Sequence, residues 1–295
     1  MSLPPARPVG KGSHLAIVAP AGPFDKEAFL LGVDWLCERY HVSYSPEIFT
    51  KSGYFAGSDD RRLSELRQAI ENPDVDAILC ARGGYGATRI LPGLDLEAIR
   101  AANKTIVGFS DITALHNLWA EAGVRSIHAP MVAALGKASE AIRTKWIEAL
   151  EHPETERKWH LKRIDGGANG AEGVLVGGNL AVLGALNGTP FTPKLKGKIL
   201  FLEDVGERPY RIDRMLTTLK QSGWFDVVSG VVLGAFTEGD PGPDGTSVDD
   251  VFCEHFSELD CPVLAGLSAG HISENVPLNF GAPAKIVGDC LIVNP

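Results

Sequence analysis

The sequence predicts an α/β protein: a front half built on a mainly parallel sheet with helices on both faces, then a second, strand-rich α+β domain. Three observations predict it. Over the first 150 residues, short continuous apolar runs alternate with stretches of helical spacing, as expected of strands buried on both faces and joined by crossover helices. A charged, turn-forming stretch interrupts this pattern at 151–170. Beyond it, strand-like runs crowd together and helical spacing is sparser.

The elements follow in order. His14 to Pro20 is the first apolar run, and Asp25 to Tyr40 follows with Phe29, Leu30, Val33, Leu36 and Cys37 at helical spacing. Val42 to Tyr44 reads as a short strand. Asp59 to Ile70 reads as a helix with Leu63, Leu66 and Ile70 on one face. Val75 to Cys80, Thr105 to Phe109 and Arg125 to His128 read as strands, with Leu96 to Ala102 and Ile112 to Ala122 as the helices between them. Residues 1–150 therefore form one domain, 151–170 a linker and 171–295 a second domain. In the latter, Gly173–Val176, Lys198–Leu202, Gly230–Phe236, Pro262–Leu264 and Ala284–Val293 are strand-like, and Tyr210–Gln221 and Val248–Leu259 helical.

Composition narrows the function. Of 295 residues, 44% are hydrophobic and 22% charged, an ordinary globular balance. The net charge of −9, with no basic run, argues against nucleic acid as a partner. The five cysteines (Cys37, Cys80, Cys253, Cys261, Cys290) show neither a C-x-x-C pair nor a disulfide framework. Several lie in apolar stretches and read as buried free thiols of a reducing compartment. The segment from Met1 to Gly10 has prolines where a signal peptide needs an apolar run, and no segment approaches membrane-spanning length. A cytoplasmic protein without membrane contact is the expectation.

Chemistry concentrates at strand ends. After Thr105–Phe109 come Ser110 and Asp111, and a helical pattern starts at once. A serine on such a turn exposes its hydroxyl beside a helix N-terminus, which suits a nucleophile. The bland reading is a helix cap, because serine and aspartate both favour that position, and Ile112 replaces the last glycine of G-x-S-x-G. The loop Ala81-Arg82-Gly83-Gly84-Tyr85-Gly86-Ala87 follows another strand and fails the dinucleotide G-x-G-x-x-G spacing. It reads as an oxyanion-hole loop or a plain tight turn. The Gly84 and Asp111 N–H groups are the candidate donors, with Gly83 as fallback. Two later apolar runs deliver Glu203 and His271, with Asp204 and His128 as alternatives for the acid and the base. Serine, glutamate and histidine at three strand ends could form a charge-oriented hydrolase. No histidine pair at metal-binding spacing joins these acids, so no metal and no cofactor are expected.

Taken together, Arg82-Gly83-Gly84-Tyr85-Gly86, Gly108 to Leu115, Gly178-Asn179-Leu180, Leu202-Glu203-Asp204, Pro209-Tyr210-Arg211-Ile212-Asp213-Arg214 and Gly270-His271, with Asn275 and Pro277, closely resemble the LD-carboxypeptidase family of serine peptidases. That family includes muramoyltetrapeptide carboxypeptidases and microcin-C-resistance peptidases. The resemblance runs from about His14 to Val293; its clearest departure is Pro277-Leu278-Asn279 in place of proline-leucine-glycine. It implies a flavodoxin-like first domain, a β-rich second domain, a homodimer, and a Ser110–Glu203–His271 triad in the cleft between domains. It also implies a peptide substrate cut between an L-configured centre and a C-terminal D-residue, with release of D-alanine from murein tetrapeptide in cell-wall recycling. Arg82 is the candidate for the substrate carboxylate, its ordinary role being a local ion pair. Asn179 could offer its amide to the substrate, its ordinary role being a turn residue. Two rivals stand beside this reading. A microcin-type peptidase cutting an aminoacyl-nucleotide amide would need an aromatic stacking surface, and none of the five tryptophans falls in these motifs. A non-catalytic metabolite-binding module on the same sheet is the other.

Overall fold

The computed structural model describes residues 7–164 and 167–294. They form two compact units: one holds residues 7–153 together with Val276–Phe280, the other the described residues of Glu154–Asn275 and residues 281–294.

In the first unit, β1 (His14–Val18), β2 (His41–Ser43), β3 (Ala77–Cys80), β4 (Thr105–Gly108) and β5 (Ser126–His128) alternate with helices. They pair in parallel in the order 2-1-3-4-5, which is the flavodoxin-like arrangement. A sixth strand, Leu278–Phe280 (β12 in chain order), joins β5 antiparallel at the edge. β3 and β4 are buried at every position, as continuous apolar runs demand. The helix Asp59–Glu71 starts at Ser58, whose side chain accepts the Arg61 N–H. Its far end is closed by buried Lys104, which donates to the carbonyls of Ala69 and Ile70 at 3.0 and 2.7 Å. Burial pulls the Lys104 pKa down to about 8. Lys104 directly precedes β4, so the clamp ties that helix to the strand leading into Ser110. The helix Glu140–Glu151 has no counterpart in the sequence reading; it buries Ile142, Trp146, Ala149 and Leu150. Asn279, the family departure, donates to the Ala149 carbonyl at 3.1 Å and so anchors β12 to that helix.

The second unit holds β6 (Arg157–His160), β7 (Lys162–Ile164), β8 (Gly170–Asn179), β9 (Ile199–Val205), β10 (Gly230–Thr237), β11 (Val263–Ala265), β13 (Pro283–Val287) and β14 (Cys290–Val293). They form one sheet in the order 6-14-13-8-9-10-11-7. Its centre, β8 to β11, is parallel and its flanks antiparallel. The helices Leu180–Leu186, Pro209–Gln221 and Val248–Phe256 make the three parallel crossovers.

The stretch read as a linker contains β6 and β7. Its charged residues belong to edge strands, and along β6 half-buried and exposed positions alternate. Asp165 and Gly166, at the centre of its turn-rich part, lie outside the described residues. β6 and β7 are separated by Leu161 alone yet occupy opposite edges, so the sheet curls until those edges meet across one residue. The run Ala284–Val293 is a hairpin that turns at Gly288-Asp289. The cysteines are free, but only Cys80 is buried, while Cys37 and Cys253 are exposed. Apolar neighbours in sequence do not bury a residue on the outer face of its helix. Among the described residues no helix is long and apolar enough to cross a membrane.

Candidate active site

Ser110 belongs to the first unit and adopts φ +63°, a region non-glycine residues rarely occupy and which is costly to hold. It opens a tight turn, Ser110–Ile112, that runs straight into the helix Thr113–Ala122. This is a strained strand-to-helix elbow, the kind of turn that can present a nucleophile.

Three neighbours hold the elbow. Gly83 comes so close that a methyl group there would lie 2.9 Å from Ser110 Cβ and 3.1 Å from its Oγ. Only hydrogen fits at that point. His116, fully buried, donates from Nε2 to the Gly108 carbonyl at 2.8 Å. Burial drives its pKa down to about 4, so the ring is neutral and carries its proton on Nε2. Asp111 is buried too, and its carboxylate accepts the Ala87 N–H at 2.7 Å. Its pKa is pushed up to about 6, because burial outweighs that hydrogen bond and the charge of Arg62. The acid after the serine therefore ties the Arg82–Gly86 loop to the elbow.

That loop is fixed again by Arg62, which is fully buried and donates to the carbonyls of Pro20 and Gly86 while pairing with Asp59. The Gly84 N–H has no hydrogen-bond partner among the described residues. Arg82 is exposed and donates to the Pro23 carbonyl at 2.7 Å, a backbone hydrogen bond rather than the local ion pair expected as its ordinary role. His128 is fully buried and packs against the rings of Phe109 and Phe280, so it stands in the core.

Glu203 and His271 belong to the second unit, and there they meet. Glu203 is fully buried on β9 and accepts a hydrogen bond from His271 Nδ1 at 2.8 Å. The His271 side chain keeps 21% exposure. The neighbouring acid does something else. Asp204 accepts from Asn179 Nδ2 at 3.0 Å and from the backbone of Ala181 and Val205 at 2.9 and 2.8 Å. Consecutive residues of a strand face opposite ways, and β9 runs through both acids, so one reaches the histidine and the other a helix start. Burial raises Asp204 to about 6. Asn179 caps the helix Leu180–Leu186 by accepting the Val182 N–H, so both its amide atoms are engaged.

Gly270 makes room for the pair. Its φ is +129°, and a methyl there would lie 2.8 Å from Glu203 Oε2. Buried Asn275 accepts the Gly270 N–H at 2.9 Å and so fixes the backbone beside His271. No group of three His, Cys, Asp or Glu side chains among the described residues is arranged to hold a metal ion.

His116, Arg62 and the backbone-holding role of Asn275 escaped sequence reasoning. Spacing gave no signal for His116, since Thr113, His116, Asn117 and Glu121 fall on one side of their helix and read as its polar face, yet His116 is buried.

Comparison with known proteins then decides the family. Residues 15–129 match the LD-carboxypeptidase N-terminal domain and residues 172–286 its C-terminal domain. The chain belongs to the LD-carboxypeptidase family. It is 31% identical to a murein tetrapeptide carboxypeptidase of Pseudomonas aeruginosa, over 94% of both chains. It superposes on the crystal structure of a muramoyltetrapeptide carboxypeptidase from Oxalobacter formigenes with TM-score 0.87 at 31% identity, covering 96% of this chain and 99% of that one. It is also 27% identical to a microcin C7 self-immunity protein of Escherichia coli, over 91% of this chain and 88% of that protein. Family membership and the mixed α/β architecture agree with the sequence expectation.

Proposed function

We propose that this chain is a serine carboxypeptidase that releases a C-terminal D-alanine from murein tetrapeptide by cutting the bond between an L-configured centre and the D-residue. The observation that supports it most is the Glu203–His271 hydrogen bond, 2.8 Å long with the acid fully buried and the ring partly exposed. Such a pair is a base waiting for a nucleophile, and the strained Ser110 elbow is the nucleophile this chain offers.

In the proposed reaction His271 Nε2 takes the Ser110 proton as Oγ bonds to the scissile carbonyl carbon. Glu203 holds the Nδ1–H tautomer and stabilises the imidazolium. The oxyanion is met by the N–H groups of Gly84 and Asp111; loss of one such donor typically costs about 3 kcal/mol. His271 then passes its proton to the departing amine of D-alanine as the C–N bond breaks, leaving an ester on Ser110. Water attacks that ester, gives its proton to His271, and the serine leaves with it. Arg82 is proposed to meet the substrate carboxylate. Asn179 acts through the helix it caps. A cytoplasmic role in wall recycling and a homodimer complete the proposal.

The test is to incubate purified protein with tri-, tetra- and pentapeptides of both stereochemistries and to weigh the products. The reading requires D-alanine loss from the L,D-tetrapeptide. Loss only from D,D-linked peptides, or from none, would sink it. Preferential cutting of an aminoacyl-nucleotide amide would move the chain to the microcin-type reading.

A further inference from the structure

We propose that the aromatic surface of exposed Tyr54 and Tyr85, with half-buried Phe55 beside them, is an acyl-side subsite that stacks a pyranose ring, the amino sugar of a muramoyl peptide. This rests on the carboxypeptidase reading above and adds a part of the substrate which that reading leaves unassigned. Tyr54 is the most exposed large hydrophobic residue described, at 65%, and Tyr85 stands at 47%. Their ring centroids are 5.9 Å apart, with Phe55 between them at 4.4 Å from Tyr54 and 5.5 Å from Tyr85. Three neighbouring rings make one patch, and such patches on soluble proteins mark binding surfaces.

The patch is built to hold its shape. The Arg62 and Arg89 guanidinium groups lie 4.9 and 5.1 Å from the Phe55 centroid. Both arginines pair with Asp59, which Arg89 meets at 2.7 Å. Phe55 is thus fixed by two anchored cations, and a rigid platform loses little entropy on binding.

Its place points to the substrate. Tyr85 lies between Gly83, which abuts Ser110, and Ala87, whose N–H is held by Asp111. Two residues of chain put Tyr85 within about 7 Å of each, Cα to Cα. Counting the side chains, the surface lies within roughly 15 Å of Ser110, a span that about four extended residues cover. A tetrapeptide cut at its last bond carries three residues on the acyl side before the sugar begins.

The ring geometry chooses between flat ligands. The planes are tilted by 33 to 52°, so they form an open shelf rather than a parallel slot that sandwiches a base. A pyranose lays its apolar C–H face on one ring and keeps its hydroxyl and acetamido groups at the rim, and each tyrosine carries a hydroxyl able to hydrogen-bond them.

The test uses the full chain with Ser110→Ala, which binds without turnover, in calorimetric titrations. The ligands are a free tetrapeptide, the same peptide bearing N-acetylmuramic acid, and an aminoacyl sulfamoyl adenosine. With the shelf intact the sugar should tighten binding about tenfold. Adding Tyr54→Ala should remove most of that gain, and Tyr54→Trp should restore it. Equal affinity for the two peptides overturns the proposal. So does a sugar gain that survives Tyr54→Ala and Tyr85→Ala together. An adenosine compound that binds more tightly than the sugar peptide, and loses that advantage in the same variants, overturns it in favour of a nucleobase. D-Alanine release from free tetrapeptide by the unaltered chain judges the carboxypeptidase reading separately.

Discussion

The Ser110 elbow and the Glu203–His271 pair solve opposite problems. The elbow is a backbone device: a serine forced to φ +63°, a glycine that leaves it room, and buried His116 and Asp111 that fix the chain on either side. The pair is a side-chain device, in which a fully buried carboxylate takes its hydrogen bond from a partly exposed ring. The difference teaches where each half is fragile. Strain makes the elbow sensitive to shape, and burial makes the pair sensitive to charge.

The largest effects should come from the group proposed as nucleophile. Ser110→Ala should lower D-alanine release by about 10⁴-fold or more with the fold retained. Ser110→Gly should be as inactive yet more stable by up to about 1 kcal/mol, because glycine accepts φ +63° without strain. A melting temperature that falls in Ser110→Gly would remove strain from the elbow's description.

Charge comes next. Glu203→Gln keeps the shape but not the preferred tautomer, and should cost about 10³ to 10⁴ in turnover. Asp204→Asn should instead cost about 1 to 3 kcal/mol of stability, since an amide cannot accept all three N–H groups that Asp204 now satisfies. Steady-state kinetics beside denaturant titration separate the two acids. Greater catalytic damage at Asp204 would reverse their roles.

Shape follows. Gly83→Ala places a methyl 2.9 Å from Ser110 Cβ, and the displaced elbow should lose about 10²-fold in kcat/KM. An undiminished rate would show that the elbow tolerates what its geometry forbids.

Activity is least affected by the last change, which is read in the pH dependence of stability. The unfolded Asp111 carboxyl ionises near 3.8 and the folded one near 6. The unfolded chain therefore gives up this proton first as pH rises, and stability falls between those values, by up to about 3 kcal/mol. Asp111→Asn should flatten that part of the stability profile. A profile parallel to that of the unaltered chain would mean Asp111 ionises normally in the fold.

The elbow was the more legible half. Apolar runs at β1, β3 and β4 mark strands buried on both faces, and Gly108-Phe109-Ser110 after such a run signals the turn. Glu203 and Asp204 stand side by side at the end of a similar run, and nothing in their spacing says which face meets His271. β9 runs through both acids and turns them to opposite faces, and the hydrogen bond from His271 Nδ1 shows that Glu203 is the one that meets the ring. β6 and β7 were hidden because edge strands are half polar and so resemble a linker. β12 was hidden because its pairing with β5 spans 150 residues. His116, Arg62 and Lys104 belong to a class sequence patterns miss, polar groups buried because a carbonyl awaits them.

The most direct measurement is to treat the full chain with a fluorophosphonate and map the adduct by mass spectrometry. The triad requires the label on Ser110 and a strongly slowed reaction in His271→Ala. A label on a different residue, or labelling that proceeds at the same rate without His271, would contradict it.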